Sequence, residues 1–315
     1  MAVGWLQPAS GGLVERNNSV GDVPRTEPEP VGDSSLLEPW IADLTRRGTV
    51  TPKGREVLAM IRQHPRDASF SPVRDLADKI GVNIATITRT AQALGFTGWS
   101  ELQRELRSRY LASLSVSQVA EEHSQGSDAT ASLARDRADL AFIAKSTSAD
   151  SIRDVARRIA ASRRVLCFAQ GGYAAVGVAL AHYCTLAGYD VRHLTEPVAV
   201  ASYLAGFGPD DLLIAVNSWR MNASTVSALD AATEAGAAKV LITDTTNAFA
   251  SNEVDHRLVA PAESVSFFVS QVGAMSVCQA IVVELAAVDP ARTRSSLARS
   301  EREWERFGLV RSDGR

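Results

Sequence analysis

Cysteine is scarce in this 315-residue chain: Cys167, Cys184 and Cys278 stand far apart in largely apolar surroundings. That spacing builds neither a disulfide framework nor a metal-ligand motif, so buried reduced thiols and no metal are expected. Long hydrophobic runs are also missing. None approaches the roughly 18 residues of a membrane span, and the best late stretch, AIVVELAAV, is cut by Glu284. The N-terminus lacks both the basic and the apolar region of a signal peptide, and there is no internal repeat. These absences point away from secreted, membrane-spanning and repeat proteins. They point towards a cytoplasmic chain with no membrane partner and no cofactor, long enough for two domains.

What is present is unevenly charged. From Arg46 to Tyr110 there are twelve Lys/Arg against six Asp/Glu, a local charge of +6 in a chain of net −3, which leaves −9 for the remainder. A basic segment on an acidic body suggests that one part meets a polyanion. Residues 1–36, rich in Gly, Pro, Ser and Glu, read as a disordered tail. Residues 37–112 carry helical periodicity. KGREVLAMIRQH places Val57, Leu58 and Ile61 on one stripe and closes at Pro65. SPVRDLADKIG opens with Ser71 as N-cap and Pro72 at the first helical position, with Val73, Leu76, Ala77 and Ile80 inward. NIATITRTAQALG opens with Asn83 as cap and turns Ile87, Ala91 and Leu94 inward. Residues 113–149 read as a polar linker with a helix. Over 150–287 apolar strands alternate with Ala-rich helices: 165–170, 191–194, 211–217, 239–244 and 255–260 are the expected strands. This is the pattern of a parallel sheet covered on both faces. Residues 288–315 read as a charged tail. The expected fold class is therefore α/β with an all-α N-terminal domain: a helix-turn-helix bundle followed by a doubly wound parallel sheet.

Two short helices joined by the GVN turn have the dimensions of a DNA-binding helix-turn-helix. With Ile87 facing inward, steps of 100° place Ala85, Thr86, Arg89, Gln92 and Ala93 on the opposite face. That face is small, polar and singly basic, as a helix entering the major groove requires. Arg89 suits guanine O6/N7, Gln92 suits adenine N6/N7, and Thr86 suits a phosphate or a thymine methyl. Asn83 and Thr88 complete the candidate set, and Arg74, Lys79, Arg104 and Arg107 are candidates for phosphates. Periodicity and charge alone also allow a compact three-helix module with a solvated face.

The residues then carry a specific likeness. TPKGREVLAMIRQHP, the DLADKIGVN turn, Ala85-Thr86 and Arg89, and LGFTGWSEL at 94–102 resemble the N-terminal domain of the RpiR/MurR family of bacterial transcriptional regulators. Ile84 departs from the family, which often has an acidic residue there. The likeness implies double-stranded operator DNA as partner, a homo-oligomer (dimer or tetramer), repression as the commoner mode, and a bacterial cytoplasm with nucleoid association when DNA-bound.

The α/β half resembles the sugar isomerase (SIS) domain that these regulators carry: FAQGGYAA follows the first strand, LTEP the second and PAES the last. Such a domain implies a site for phosphorylated sugars, built on a Gly-rich first turn and a second turn of form Ser-x-Ser-Gly-x-Thr. Here Asn217, Trp219, Arg220 and Asn222 occupy the four signature positions, Tyr173 stands where a small hydroxyl is expected, and Gln271 where a base is expected. The resemblance thus leaves Gln170, Gly171, Gly172, Tyr173, Asn217, Ser218, Trp219, Arg220, Asn222 and Glu263 as candidate effector contacts in an altered cradle. Three readings stay open: a remodelled pocket for another metabolite, a domain kept for oligomerisation with Trp219 packed into the turn, or phosphosugar binding through Arg220, Ser218, Asn217 and Asn222. An isomerase needs a positioned base. His182 and His193 lack a carboxylate partner in sequence and Glu263 stands alone, so no catalytic residues and no enzyme activity are expected.

Overall fold

The computed structural model describes residues 37–123, 128–244 and 254–309. The expected tails at 1–36 and 310–315, and part of the linker, lie outside the described residues. The head comprises α1 (Leu37–Arg47), α2 (Pro52–Gln63), α3 (Pro65–Phe70), α4 (Val73–Ile80), α5 (Ile84–Ala93), α6 (Trp99–Ser113) and α7 (Val116–Glu122). The Thr51 hydroxyl accepts from the Gly54 N–H at 3.1 Å and Pro52 opens α2. Pro65 ends that run but also begins α3, because a proline is tolerated where an N–H has no helical partner. The expectation of Ser71 as N-cap shifts by one residue: Ser71 closes α3, and Pro72 takes the cap position of α4 with no side-chain bond. Gly81 lies at φ +76°, a left-handed turn that side chains disfavour, and the N–H groups of Gly81 and Val82 both return to the Ala77 carbonyl. Asn83 then caps α5, its side-chain oxygen 2.7 Å from the Thr86 N–H. The expected Val57, Leu58, Ile61, Leu76, Ala77, Ile87, Ala91 and Leu94 are all buried in one core, with Val73 and Ile80 packed at its edge.

Helices α8 (Ala129–Ser146) and α9 (Ala149–Ala161) lead into the body. There follow β1 (Arg164–Ala169), a 3₁₀ turn at Gly171–Tyr173, α10 (Ala174–Leu186), β2 (Val191–Leu194), α11 (Pro197–Leu204), β3 (Asp211–Val216), α12 (Ala223–Glu234), β4 (Ala238–Thr243), β5 (His256–Val259), α13 (Val272–Val288) and α14 (Pro290–Arg306). All five expected strands form. They are parallel, in the order β2-β1-β3-β4-β5. Side chains alternate as the period of two demands. Val165, Cys167, Ile214 and Val240 face α9, α10 and α13, while Leu166, Phe168, Leu213 and Leu241 face α11 and α12. The three cysteines share the first of these cores as free thiols, and burial pushes Cys184 and Cys278 up to about 12. Residues 290–306, expected only as charged tail, form α14. It is tied back by Arg292, whose Nε donates to the Gly188 carbonyl at 2.9 Å and whose guanidinium stacks on Tyr189.

Candidate functional site

The outer face of α5 is left clear by the packing. Asn83, Ala85, Arg89, Gln92 and Ala93 are exposed, while Ile87, Thr90 and Ala91 point into the core. The Thr86 hydroxyl donates to Asn83 Oδ1 at 2.9 Å, and the residue is half-buried. The Thr88 hydroxyl bonds back to the Ile84 carbonyl at 3.1 Å. Gln92 makes one long contact to the Thr97 carbonyl, 3.4 Å, which a base edge could displace.

The basic residues are redistributed relative to expectation. Arg74 is exposed, and Lys79 pairs with Asp67 at the head's surface. Arg104 and Arg107, expected on phosphates, turn towards the body instead: Arg104 lies 3.6 Å over the Phe142 ring, and Arg107 pairs with Glu263 at 3.2 Å. Lys53 is the residue the sequence reading passed over. It lines a notch of about 230 Å³ with Thr51, Thr86 and Arg89, where the first turn of α2 meets the exposed face of α5. The signal was available, since a lysine one residue after a Thr-Pro helix start sits beside free backbone N–H groups that favour phosphate.

In the body the chain crosses from β1 to one neighbour, β2, and later to the other, β3. The carboxyl ends of β1 and β3 therefore border the crevice where doubly wound sheets hold ligands. Gln170, Gly171, Gly172 and Tyr173 follow β1, residues 217–222 follow β3, Asp244 follows β4 and Glu263 follows β5. These candidates do not form one open cradle. Gln170 is tied to the Thr195 carbonyl and to Ser224. Asn217, fully buried, is the staple of its own turn: its amide donates to the Arg220 carbonyl at 2.7 Å, and its oxygen accepts from the Asn222 N–H and the Thr225 hydroxyl, each at 3.2 Å. Ser218 and Tyr173 are buried, whereas Gly171, Gly172 and Asn222 remain exposed. Burial, reinforced by Asp244, pushes the Tyr173 hydroxyl up from its ordinary value.

The remaining candidates grip the head. Trp219 adopts φ +66°, a left-handed conformation unusual for an aromatic residue. Its ring meets Phe267 edge-on at 5.7 Å and packs against the apolar cluster of the head, and its buried Nε1 has no hydrogen-bond partner among the described residues. Arg220 lies 5.1 Å from the Trp219 ring and donates Nε to the Ala112 carbonyl at 3.0 Å. Ala112 belongs to the last turn of α6, where carbonyls lack helical partners and a cation is favoured by about 0.3–1 kcal/mol. Glu263 is held between Arg107 and Arg135, the latter at 2.7 Å. The Ser108 hydroxyl donates to Asp244 at 2.8 Å. Dense packing desolvates the Asp244 carboxyl and raises it above the ordinary carboxylate range, against the hydrogen bonds from Ser108 and the Trp219 N–H. Between head and body remains a cavity of about 30 Å³ bordered by Ser108, Leu111, His123, Trp219, Asp244 and Phe267. That is room for about one water molecule.

Residues 45–113 match the helix-turn-helix domain of the rpiR family, and residues 158–287 match the SIS domain. The body is also similar to the sugar isomerase domain of an RpiR transcription factor from Sphaerobacter thermophilus: 30% identity, TM-score 0.52, 54% of this chain and 96% of that one. The chain belongs to the RpiR family. Its architecture is that of a transcription regulator, an RpiR-type head on a SIS domain. A second solved structure, the Vibrio vulnificus NanR protein complexed with ManNAc-6P, shares the fold over 86% of this chain and 98% of that one, at 20% identity and TM-score 0.53. No protein of curated function matches the sequence. Among the described residues of this RpiR-family chain, no single helix is long and apolar enough to cross a membrane.

Proposed function

We propose that this RpiR-family chain is a sequence-specific DNA-binding repressor that acts from the cytoplasm as a homo-oligomer and carries out no catalysis. The observation that carries the reading is the recognition face: Ala85, Arg89, Gln92 and Ala93 stay exposed on a helix whose other side is fully engaged in the core. Asn83, Thr86, Thr88, Arg74, Lys79 and now Lys53 flank it as positioning contacts. One such helix reads few base pairs, so a symmetric pair of heads supplies the specificity. The body offers the means of pairing. Helices α10 and α13 are largely apolar, yet Val178, Tyr183, Val283 and Val288 are exposed in the single chain. Beside them runs a groove of about 550 Å³ lined by Leu140, Ile143, Ala280 and Val283.

The absence of catalysis is supported by what the candidate bases are doing. Glu263 is neutralised by two arginines. His193 sits 3.3 Å from the Ala169 carbonyl with its ring against Gly177, where a Cβ would come within 2.4 Å. His182 is exposed on α10 beside Tyr183. A small-molecule effector, a sugar phosphate or another metabolite, would bind at the carboxyl ends of β1 and β3. The cavity under α6, about 30 Å³, lies instead against the turns after β3, β4 and β5, and so small a space favours the competing reading, a body kept only for assembly. Selection of bound duplexes from a random DNA pool tests the regulator. The expected outcome is a recurring motif with two related half-sites about one helical turn apart. Enrichment of no motif at all would remove the reading.

A further inference from the structure

The turn after β3 has exchanged small hydroxyl residues for Trp219 and Arg220, and both of these touch the DNA-binding head. Arg220 caps the carbonyl end of α6 through Ala112, and Trp219 enters the apolar cluster of the head in a strained left-handed conformation. The neighbouring turns repeat the arrangement: Asp244 after β4 receives Ser108, and Glu263 after β5 receives Arg107, all on α6. Three separate polar contacts thus run from the turns after β3, β4 and β5 to one helix, and Trp219 adds an apolar one to the head. The recognition face of α5 is not among the surfaces covered, and Arg89 and Gln92 remain exposed while the head is docked.

We infer that the 217–222 turn is a clasp for the chain's own α6, so that a docked head and an occupied mouth exclude each other. This rests on the reading of the chain as a regulator and assigns its control. In the docked state the head is held at one angle to the body with its reading face outward, which is the arrangement that two heads on a symmetric site require. The space left under α6 admits about one water. Any larger ligand against the turns after β3, β4 and β5 therefore fits only when Trp219 withdraws, and withdrawal releases Arg220 from Ala112 and α6 from the sheet. The ligand's differential affinity for the opened mouth is then what shifts the population. A released head still binds DNA phosphates but meets its half-site less often at the right angle.

The test compares the full-length chain with Arg220→Ala and with Trp219→Gly, the first because the side chain is exposed and its loss leaves the core intact. Backbone hydrogen exchange over 107–114 reports docking, while exchange over the strands of the body reports whether the fold has survived. Anisotropy with the selected duplex and with unrelated duplex reports DNA binding. The clasp predicts that exchange in α6 accelerates about tenfold or more in both variants. It also predicts that affinity for the selected duplex falls about three- to tenfold while affinity for unrelated DNA is unchanged. Unaltered exchange in α6 overturns the clasp. Faster exchange with undiminished binding of the selected duplex overturns its regulatory role and leaves a packing contact. If the unmodified chain selects no duplex at all, it is the regulator reading that fails, and the exchange comparison still decides the clasp.

Discussion

Arg89 and Asp244 are the two side chains whose surroundings say most about their work. Arg89 is an exposed base on an otherwise small, polar face, with Lys53 and Thr86 at its sides. Arg89→Ala is expected to weaken binding to the selected duplex by about 1–3 kcal/mol and to relax discrimination at one base pair, read by anisotropy on single-position variants of that duplex. A uniform loss on every sequence would make Arg89 a phosphate contact instead. Asp244 is a desolvated carboxyl whose pKa lies above its unfolded value. The folded state therefore holds its proton more tightly than the unfolded state. Its contribution to stability is complete at low pH and is lost as pH rises from the ordinary carboxylate range through the raised value. Asp244→Asn removes that loss. Its melting temperature is expected to gain on the parent chain as pH rises above the ordinary carboxylate range, and a gap that narrows with rising pH would contradict the assignment. Neither the desolvation of Asp244 nor the left-handed Trp219 was legible in sequence. What could be read there was that Asn217, Trp219, Arg220 and Asn222 replace hydroxyls and glycine; which neighbour they had acquired could not. Trp219 packs against Phe267 and the apolar cluster of the head, partners far from it in sequence.

At the level of elements, local signals did well wherever the deciding contacts are local. The five strands are apolar runs bounded by turns, and all five form. The inward stripe of α5 follows from a 100° step, and Asn83 caps that helix through its own third neighbour. Ser71 and Pro72 slipped by one position because a short helix, α3, fits between Pro65 and the turn. Arg104 and Arg107 went astray for a different reason. They lie on α6 with the periodicity of a solvated basic face, but Phe142 and Glu263 come from positions far along the chain to cover them. Charge counting assigns such residues to DNA, and only tertiary placement withdraws them. The consequence is measurable in the salt dependence of binding. Lys53→Ala should reduce the slope of log affinity against log salt by about one unit, whereas Arg107→Ala should leave the slope unchanged and loosen α6. Equal slopes for the two variants would return Arg107 to the phosphates.

Considered whole, the molecule is a basic helical head set upon the carboxyl ends of a parallel sheet, with large apolar side chains exposed on α10 and α13 at the body's flank. Val283 is two-thirds exposed on α13, beside the groove lined by Leu140 and Ala280. Val283→Asp is expected to shift the sedimenting species from oligomer towards single chain and, with it, to weaken binding to a two-half-site duplex far more than to one half-site. An unchanged sedimentation coefficient would place the pairing surface elsewhere. All of this depends on one claim, that the exposed face of α5 reads DNA sequence. The most direct measurement is the anisotropy of the full-length chain on duplex from upstream of its own coding region, at two salt concentrations, with unrelated duplex as competitor. The account predicts tight binding that persists in excess competitor and weakens with salt. Binding lost equally to competitor and to salt would leave only phosphate contacts and contradict it.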